Sequence, residues 1–286
     1  MPNPVRRQAG KADPFSSNHG PSNHGEPVMH VDDLRDALAG AMIETHYQPI
    51  VAMADGMPVA LEALARLKHP KLGILSPGHF VPQMEDAGLA AALTELVSHQ
   101  AFTDMNSAHL LGHGLRVAIN FPLDVILATE ALTRLEEQRL AAGIAADAII
   151  IELTESRPVE DLVTLRHSLE WLRARGYRIA IDDVGPAVPM LSSLLELPFT
   201  CLKLDMALVL RVETDPATAC FLRQTVRQAA AHGLTVVAEG VETPALWHRM
   251  KNKGVAAAQG FLIGRPMRVE QIPAWLESWK ASPAIV

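Results

Sequence analysis

The sequence predicts an α/β fold built from β/α units, with a closed eight-stranded barrel as the natural candidate and an open doubly wound sheet as its rival. Three observations carry this. From about residue 33 onward, short β-branched apolar runs alternate with amphipathic stretches. Eight such runs fall within about 250 residues, the size of one barrel. And no Gly-x-Gly-x-x-Gly turn follows the first run, which argues against the dinucleotide-binding form of the open sheet.

The predicted strands are Tyr47–Met53, Val59–Leu67, Leu115–Phe121, Ala148–Thr154, Arg178–Asp183, Thr200–Asp205, Leu234–Glu239 and Ala257–Ile263. The stretches 90–108, 159–175, 216–232 and 243–253 between them have helical periodicity. Residues 1–34 read differently. They are rich in Pro, Gly, Ser, Asn and His, and Ser-Asn-His-Gly occurs at 17–20 and again at 22–25. So little apolar surface cannot offset the entropy of ordering, which predicts a disordered leader ahead of one domain at 35–286. His19, His24 and His30 in or beside it could bind only stray metal.

The chain has 286 residues, 49% hydrophobic and 20% charged, an ordinary globular composition that excludes a fibrous or wholly disordered protein. Its net charge of −7 lacks the field of a nucleic-acid coat, so no DNA partner is expected. The longest stretch free of Asp, Glu, Lys and Arg is thirteen residues, Leu72 to Met84. A membrane span needs about 20 apolar residues, so none is expected. Two cysteines, Cys201 and Cys220, make no disulfide framework and suggest a cytoplasmic location.

The chemistry is signalled by where acids and amides fall. Glu62 lies in the second predicted strand, followed by Arg66. Asn120 ends Val117-Ala118-Ile119, and Glu152 and Glu155 close Ile149-Ile150-Ile151. Asp182 and Asp183 close Ile179-Ala180-Ile181. Lys203 and Asp205 end the next strand, Glu239 and Glu242 the one after, and Gln259 sits in the last. In a β/α barrel the carboxyl ends of the strands converge on one face, where active sites form. A carboxylate cluster there requires cations, and oxygen-rich sets suit Mg²⁺ or Mn²⁺, one ion or two. An adjacent Asp pair suits bridging two ions, and two such ions promote phosphoester hydrolysis. Any one acid could instead cap the next helix. Glu242 is the residue most suited to that, Asn120 could serve only a turn, and Asp205 could pair with Lys203.

These motifs together resemble the EAL-domain family, phosphodiesterases that linearise cyclic di-GMP. The resemblance runs from about Tyr47 to Pro266. It rests on Glu62-Ala63-Leu64-Ala65-Arg66, Tyr47-Gln48-Pro49-Ile50-Val51, His69-Pro70, Asn120, Glu152-Leu153-Thr154-Glu155, Asp182-Asp183, Leu202-Lys203-Leu204-Asp205, Ala238-Glu239-Gly240-Val241-Glu242 and Gln259-Gly260-Phe261 with Arg265-Pro266.

The resemblance implies a modified TIM barrel with one antiparallel strand. It implies that Glu62, Asn120, Glu152 and Asp182 hold a first metal, and that Asp183 with Asp182 holds a second. It implies that Lys203 orients the catalytic water, that Glu239 is base or water anchor, that Arg66 and Gln259 contact substrate, and that Glu155 anchors the loop after the Asp pair.

Two departures stand out. The family's Phe-Gly-Thr-Gly-Tyr-Ser-Ser loop reads Val184-Gly185-Pro186-Ala187-Val188-Pro189-Met190 here, and its Asp-Tyr-Ala reads Ala256-Ala257-Ala258. Proline removes a backbone donor, so the loop cannot make all the family's hydrogen bonds. A cyclic di-GMP receptor or protein-docking module that cleaves nothing is therefore the alternative to a phosphodiesterase. Homodimers, common in the family, stay an open alternative.

Overall fold

The computed structural model describes residues 29–154, 161–186 and 191–280. Its strands are β1 (Ile43–Ala52), β2 (Pro58–His69), β3 (Gly73–Leu75), β4 (Arg116–Pro122), β5 (Ile149–Thr154), β6 (Arg178–Val184), β7 (Cys201–Leu204), β8 (Thr235–Ala238) and β9 (Ala257–Gln259). The helices in chain order are α1 (Val31–Ala39), α2 (Val81–Asp86), α3 (Ala90–Ser107), α4 (Leu123–Leu127), α5 (Thr129–Ala142) and α6 (Leu162–Ala174). They continue with α7 (Leu191–Leu194), α8 (Met206–Arg211), α9 (Pro216–Ala231), α10 (Pro244–Asn252) and α11 (Ile272–Lys280). Helix α1 begins at Val31, ahead of the boundary expected at residue 35. Residues 1–28 of the leader expected at 1–34 lie outside the described residues.

The sheet closes into a barrel, β1-β2-β4-β5-β6-β7-β8-β9 and back to β1, with β3 hairpinned onto β2 outside the ring. Strand β1 runs antiparallel to both neighbours, β2 and β9, and every other barrel pairing is parallel. The reason is local. Only a short turn, Met53–Met57, separates β1 from β2, and parallel neighbours need a long crossover. The open sheet is thereby excluded.

Strand alternation divides the side chains between two environments. Val117, Ile119, Phe121, Ile149, Ile151, Leu153, Ile179, Ile181, Leu202 and Leu204 face the helices and are buried. The alternate positions fill the barrel. Its middle is a small apolar layer of Ile50, Ala60, Val237 and Ala257 packed with Val59, Ile150 and Cys201.

Differences from the expected boundaries have physical causes. Strand β1 starts at Ile43 because the pairing with β2 continues beyond the barrel as a two-stranded ribbon, Ile43 opposite Leu67. Strand β3 is too short for any periodicity to show. Strand β9 stops at Gln259 instead of Ile263, because the chain turns at Gly260, whose carbonyl accepts from the Ile263 and Gly264 amides. Helix α10 is capped by Thr243, whose hydroxyl accepts from the Leu246 amide at 3.2 Å, and not by Glu242. A short side chain on extended backbone reaches that amide best. Asp205 likewise caps α8 through the Ala207 amide at 3.2 Å, which settles its open role.

Gly260 is sterically required. A Cβ there would overlap the backbone carbonyl and amide of Val241. Gly260→Ala is expected to destabilise the fold by about 1–3 kcal/mol. An unchanged urea midpoint would show that the Val241 contact does not constrain this turn.

Candidate active site

The carboxyl ends of the parallel strands gather the predicted polar residues into one buried cluster around a lysine. Lys203, on β7, is 1% exposed. Its Nζ lies 2.8 Å from Glu239 Oε1, 2.9 Å from Glu152 Oε2, 2.9 Å from Asp182 Oδ1 and 3.5 Å from Glu62 Oε2. These acids come from β2, β5, β6 and the end of β8, so the site exists only when the barrel closes.

Amides complete the arrangement. Asn120 donates to Glu62 Oε1 at 2.9 Å and Gln259 donates to Glu62 Oε2 at 2.6 Å. Asn120 is therefore no simple turn residue. Using its nitrogen on Glu62 leaves its carbonyl oxygen as an acceptor. Gln259 also reaches Gln48 at 3.1 Å, and Gln48 donates to the Gly264 carbonyl at 3.2 Å. Sequence reasoning quoted Gln48 without giving it a role. The signal was its position, since in the β1–β2 hairpin Gln48 pairs directly with Glu62.

Asp182 and Asp183 pose a geometric problem. Neighbours in a strand point to opposite faces. Here the β6–β7 register shifts between Ile181 and Val184, and Asp183 has a left-handed φ of 52°. That irregularity breaks the alternation and lets both carboxylates serve one cavity. Oxygens of Glu62, Glu152 and Asp182 lie within 4.8 Å of one another, and so do those of Asp182, Asp183 and Glu239. Asp182 belongs to both sets.

The charges are far from balanced. Glu62, Glu152, Asp182 and Glu239 surround the single Lys203 ammonium, with Asp183 beside them. Burial pushes Glu152 and Glu239 well above the usual carboxylate range despite Lys203. Asp182 is raised by burial as well, and Asp183, which stays exposed at the rim of the cluster, is pushed up to about 6 by desolvation and by Asp182. Burial also opposes ionisation of Glu62, but Lys203 and the Gln259 and Asn120 amides outweigh it and hold Glu62 low. Burial disfavours the Lys203 ammonium, yet Asp182, Glu152, Glu239 and Glu62 hold it well above its ordinary value.

Gln259 Oε1 is buried without a hydrogen-bond donor, and Asp182 Oδ1 has only the ammonium it shares with three other carboxylates. Excess buried anionic oxygen beside an orphaned amide oxygen matches the chemistry of a hard divalent cation site. The residues present thus fit Mg²⁺ or Mn²⁺, and the two overlapping acid sets fit two ions as well as one.

Arg66 lies four residues beyond Glu62 on the same face of β2, where the ribbon overhangs the site. Its Nη1 donates to its neighbour's carbonyl, that of Ala65, at 2.8 Å. Opposite it in the hairpin, Glu44 contacts Lys68 at 2.6 Å, His46 at 2.9 Å and Arg268 at 3.3 Å. Periodicity does not reveal this group, because Lys68 meets Glu44 only across the hairpin and Arg268 reaches it from 224 residues along the chain. Glu155 and residues 187–190 of the altered loop lie outside the described residues.

The profile of the EAL domain family matches residues 31–266. Cyclic di-GMP phosphodiesterase NbdA of Pseudomonas aeruginosa is 32% identical over 254 residues, covering 88% of this chain and 32% of that protein. Cyclic di-GMP phosphodiesterase RocR of the same organism is 30% identical over 237 residues, covering 83% of this chain and 60% of that protein. The chain therefore spans about a third of NbdA and less than two thirds of RocR. Among solved structures, the MucR phosphodiesterase in complex with c-di-GMP superposes with a TM-score of 0.79 at 33% identity, covering 85% of this chain and 98% of that one. With its barrel closed by an antiparallel first strand and its acids ringing one lysine, the chain belongs to the EAL domain family.

Proposed function

We propose that this chain hydrolyses cyclic di-GMP to linear pGpG with Mg²⁺ or Mn²⁺ bound. The observation that carries the reading is the pair of acid sets sharing Asp182 around Lys203. Relatives named for this activity, and a relative's complex with c-di-GMP, support it.

In this reading Glu62, Asn120, Glu152 and Asp182 hold a first cation, and Asp183 with Asp182 holds a second. Cations held there supply Lewis-acid stabilisation of the phosphoryl oxygens and lower the pKa of water. Arg66, on the overhanging ribbon, fixes a phosphate of the substrate. Gln259 and Asn120 lock the Glu62 carboxylate in place. Lys203 orients the attacking water, and Glu239, 2.8 Å from Lys203 Nζ, anchors that water and takes its proton. The water oxygen bonds to phosphorus, the bond from phosphorus to the 3′ oxygen breaks, and that oxygen leaves with a proton. The product carries a 5′-phosphate.

Pro186, in place of a residue with a backbone donor, gives the receptor alternative its specific basis. Incubating the protein with cyclic di-GMP and Mg²⁺ or Mn²⁺, then separating products by chromatography, decides between them. Linear pGpG is expected. Ligand retained in Ca²⁺ buffer with no product from Mg²⁺ or Mn²⁺ would assign the chain to the receptor class. No helix among the described residues is long and apolar enough to cross a membrane.

A further inference from the structure

The other end of the barrel carries the opposite charge. Arg116 is the first residue of β4 and Arg178 the first of β6, the two strands that flank β5. By alternation Arg116 shares the inner face with Ala118 and Asn120, and Arg178 shares it with Ala180 and Asp182. Both arginines therefore sit at the amino-terminal mouth. Ala118 on β4 and Ala180 on β6, each the next inward position, stand between them and Asn120 and Asp182.

Their backbones are two strand spacings apart, roughly 10 Å, within reach of two arginine side chains leaning together. Burial and the presence of Arg178 both hold the Arg116 guanidinium below its ordinary range, and Asp147 offsets this only in part. Among the described residues neither guanidinium makes an ion pair or a hydrogen bond, and Arg178 Nε is buried with no acceptor. Buried guanidinium donors are normally satisfied, so an orphaned one beside a second cation favours an anionic ligand.

We infer that Arg116 and Arg178 form a binding site for a phosphate group at the amino-terminal mouth of the barrel. A carboxylate presents two oxygens in one plane and matches a single guanidinium fork. Two forks reaching in from separate strands are better met by a tetrahedral group of two charges with oxygens pointing both ways. Asp147, on the surface turn before β5, would set a limit on affinity without filling the site.

The test is calorimetric titration of the full chain with inorganic phosphate in EDTA at constant ionic strength. Without divalent ions the acid cluster repels the probe. Saturable binding to wild-type protein is expected, with affinity reduced about tenfold or more in Arg116→Met and in Arg178→Met, each losing charge-assisted hydrogen bonds while keeping its apolar stem. Parallel titration with glycerol phosphate separates the sources. An equal response assigns the site to phosphomonoesters as well as the free ion, and a response to inorganic phosphate alone assigns it to the free ion. Absence of saturable binding to wild-type protein overturns the inference whether or not the variants fold. So does equal binding by acetate, or phosphate affinity unchanged in both variants.

Discussion

Glu62→Ala is expected to lower cyclic di-GMP turnover by more than about a hundredfold, because groups merely supporting a metal ligand are already worth about 10–100-fold. Glu62 is the acid on which both amides converge, and its oxygens stand with those of Glu152 and Asp182. Truncation removes one anionic donor and frees the Asn120 and Gln259 amides to turn elsewhere. The Mn²⁺-induced rise in melting temperature should shrink in parallel, since a weaker site stabilises less at the same ion concentration. Steady-state turnover and thermal melts with and without Mn²⁺ check both parts. Turnover within tenfold of wild type would remove Glu62 from the site.

Lys203→Met should act on stability before chemistry. The lysine is the only cation among four carboxylates, and breaking a buried ion pair from one side costs about 3–5 kcal/mol. At roughly 2–4 °C per kcal/mol for a domain of this size, the metal-free melt should fall by about 6–20 °C. The sign of its pH dependence follows from the same charges. Glu152, Glu239 and Asp182 are already raised by burial, and losing Lys203 raises them further. A carboxyl raised in the folded state favours folding while protonated, and that contribution is lost as pH rises through the folded value. The deficit in EDTA should therefore be larger at pH 8 than at pH 5.5, and Mn²⁺ should recover part of it. Urea melts at the two pH values, with and without Mn²⁺, measure this. Equal stability of variant and wild type in EDTA at both would contradict the account of the cluster.

Most of the architecture was legible before any coordinates. Apolar runs such as Ile149-Ile150-Ile151 mark strands covered on both faces, and their spacing by helical stretches marks the β/α repeat. The acids of the candidate site were legible for the same reason: an Asp or Glu closing an apolar run lies at a strand's carboxyl end wherever that strand sits in the barrel. Gln48 and the shelf of Glu44, His46, Lys68 and Arg268 were not. Their partners are reached across a hairpin or from more than two hundred residues along the chain, and register is invisible to periodicity. The pair Arg116 and Arg178 is not legible either, because each opens a strand, where an exposed charge is ordinary.

The amino-acid sequence by itself determined the β/α repeat, the strands and the acids at their ends, because these depend on local hydrophobic period and chain order. Only the tertiary structure decided that a register shift at Asp183 turns two consecutive aspartates toward one cavity, and that a single buried lysine stands among more carboxylates than it can neutralise. Those outcomes depend on closing the barrel, which brings together groups whose energies are set by distance and burial and not by their order in the chain.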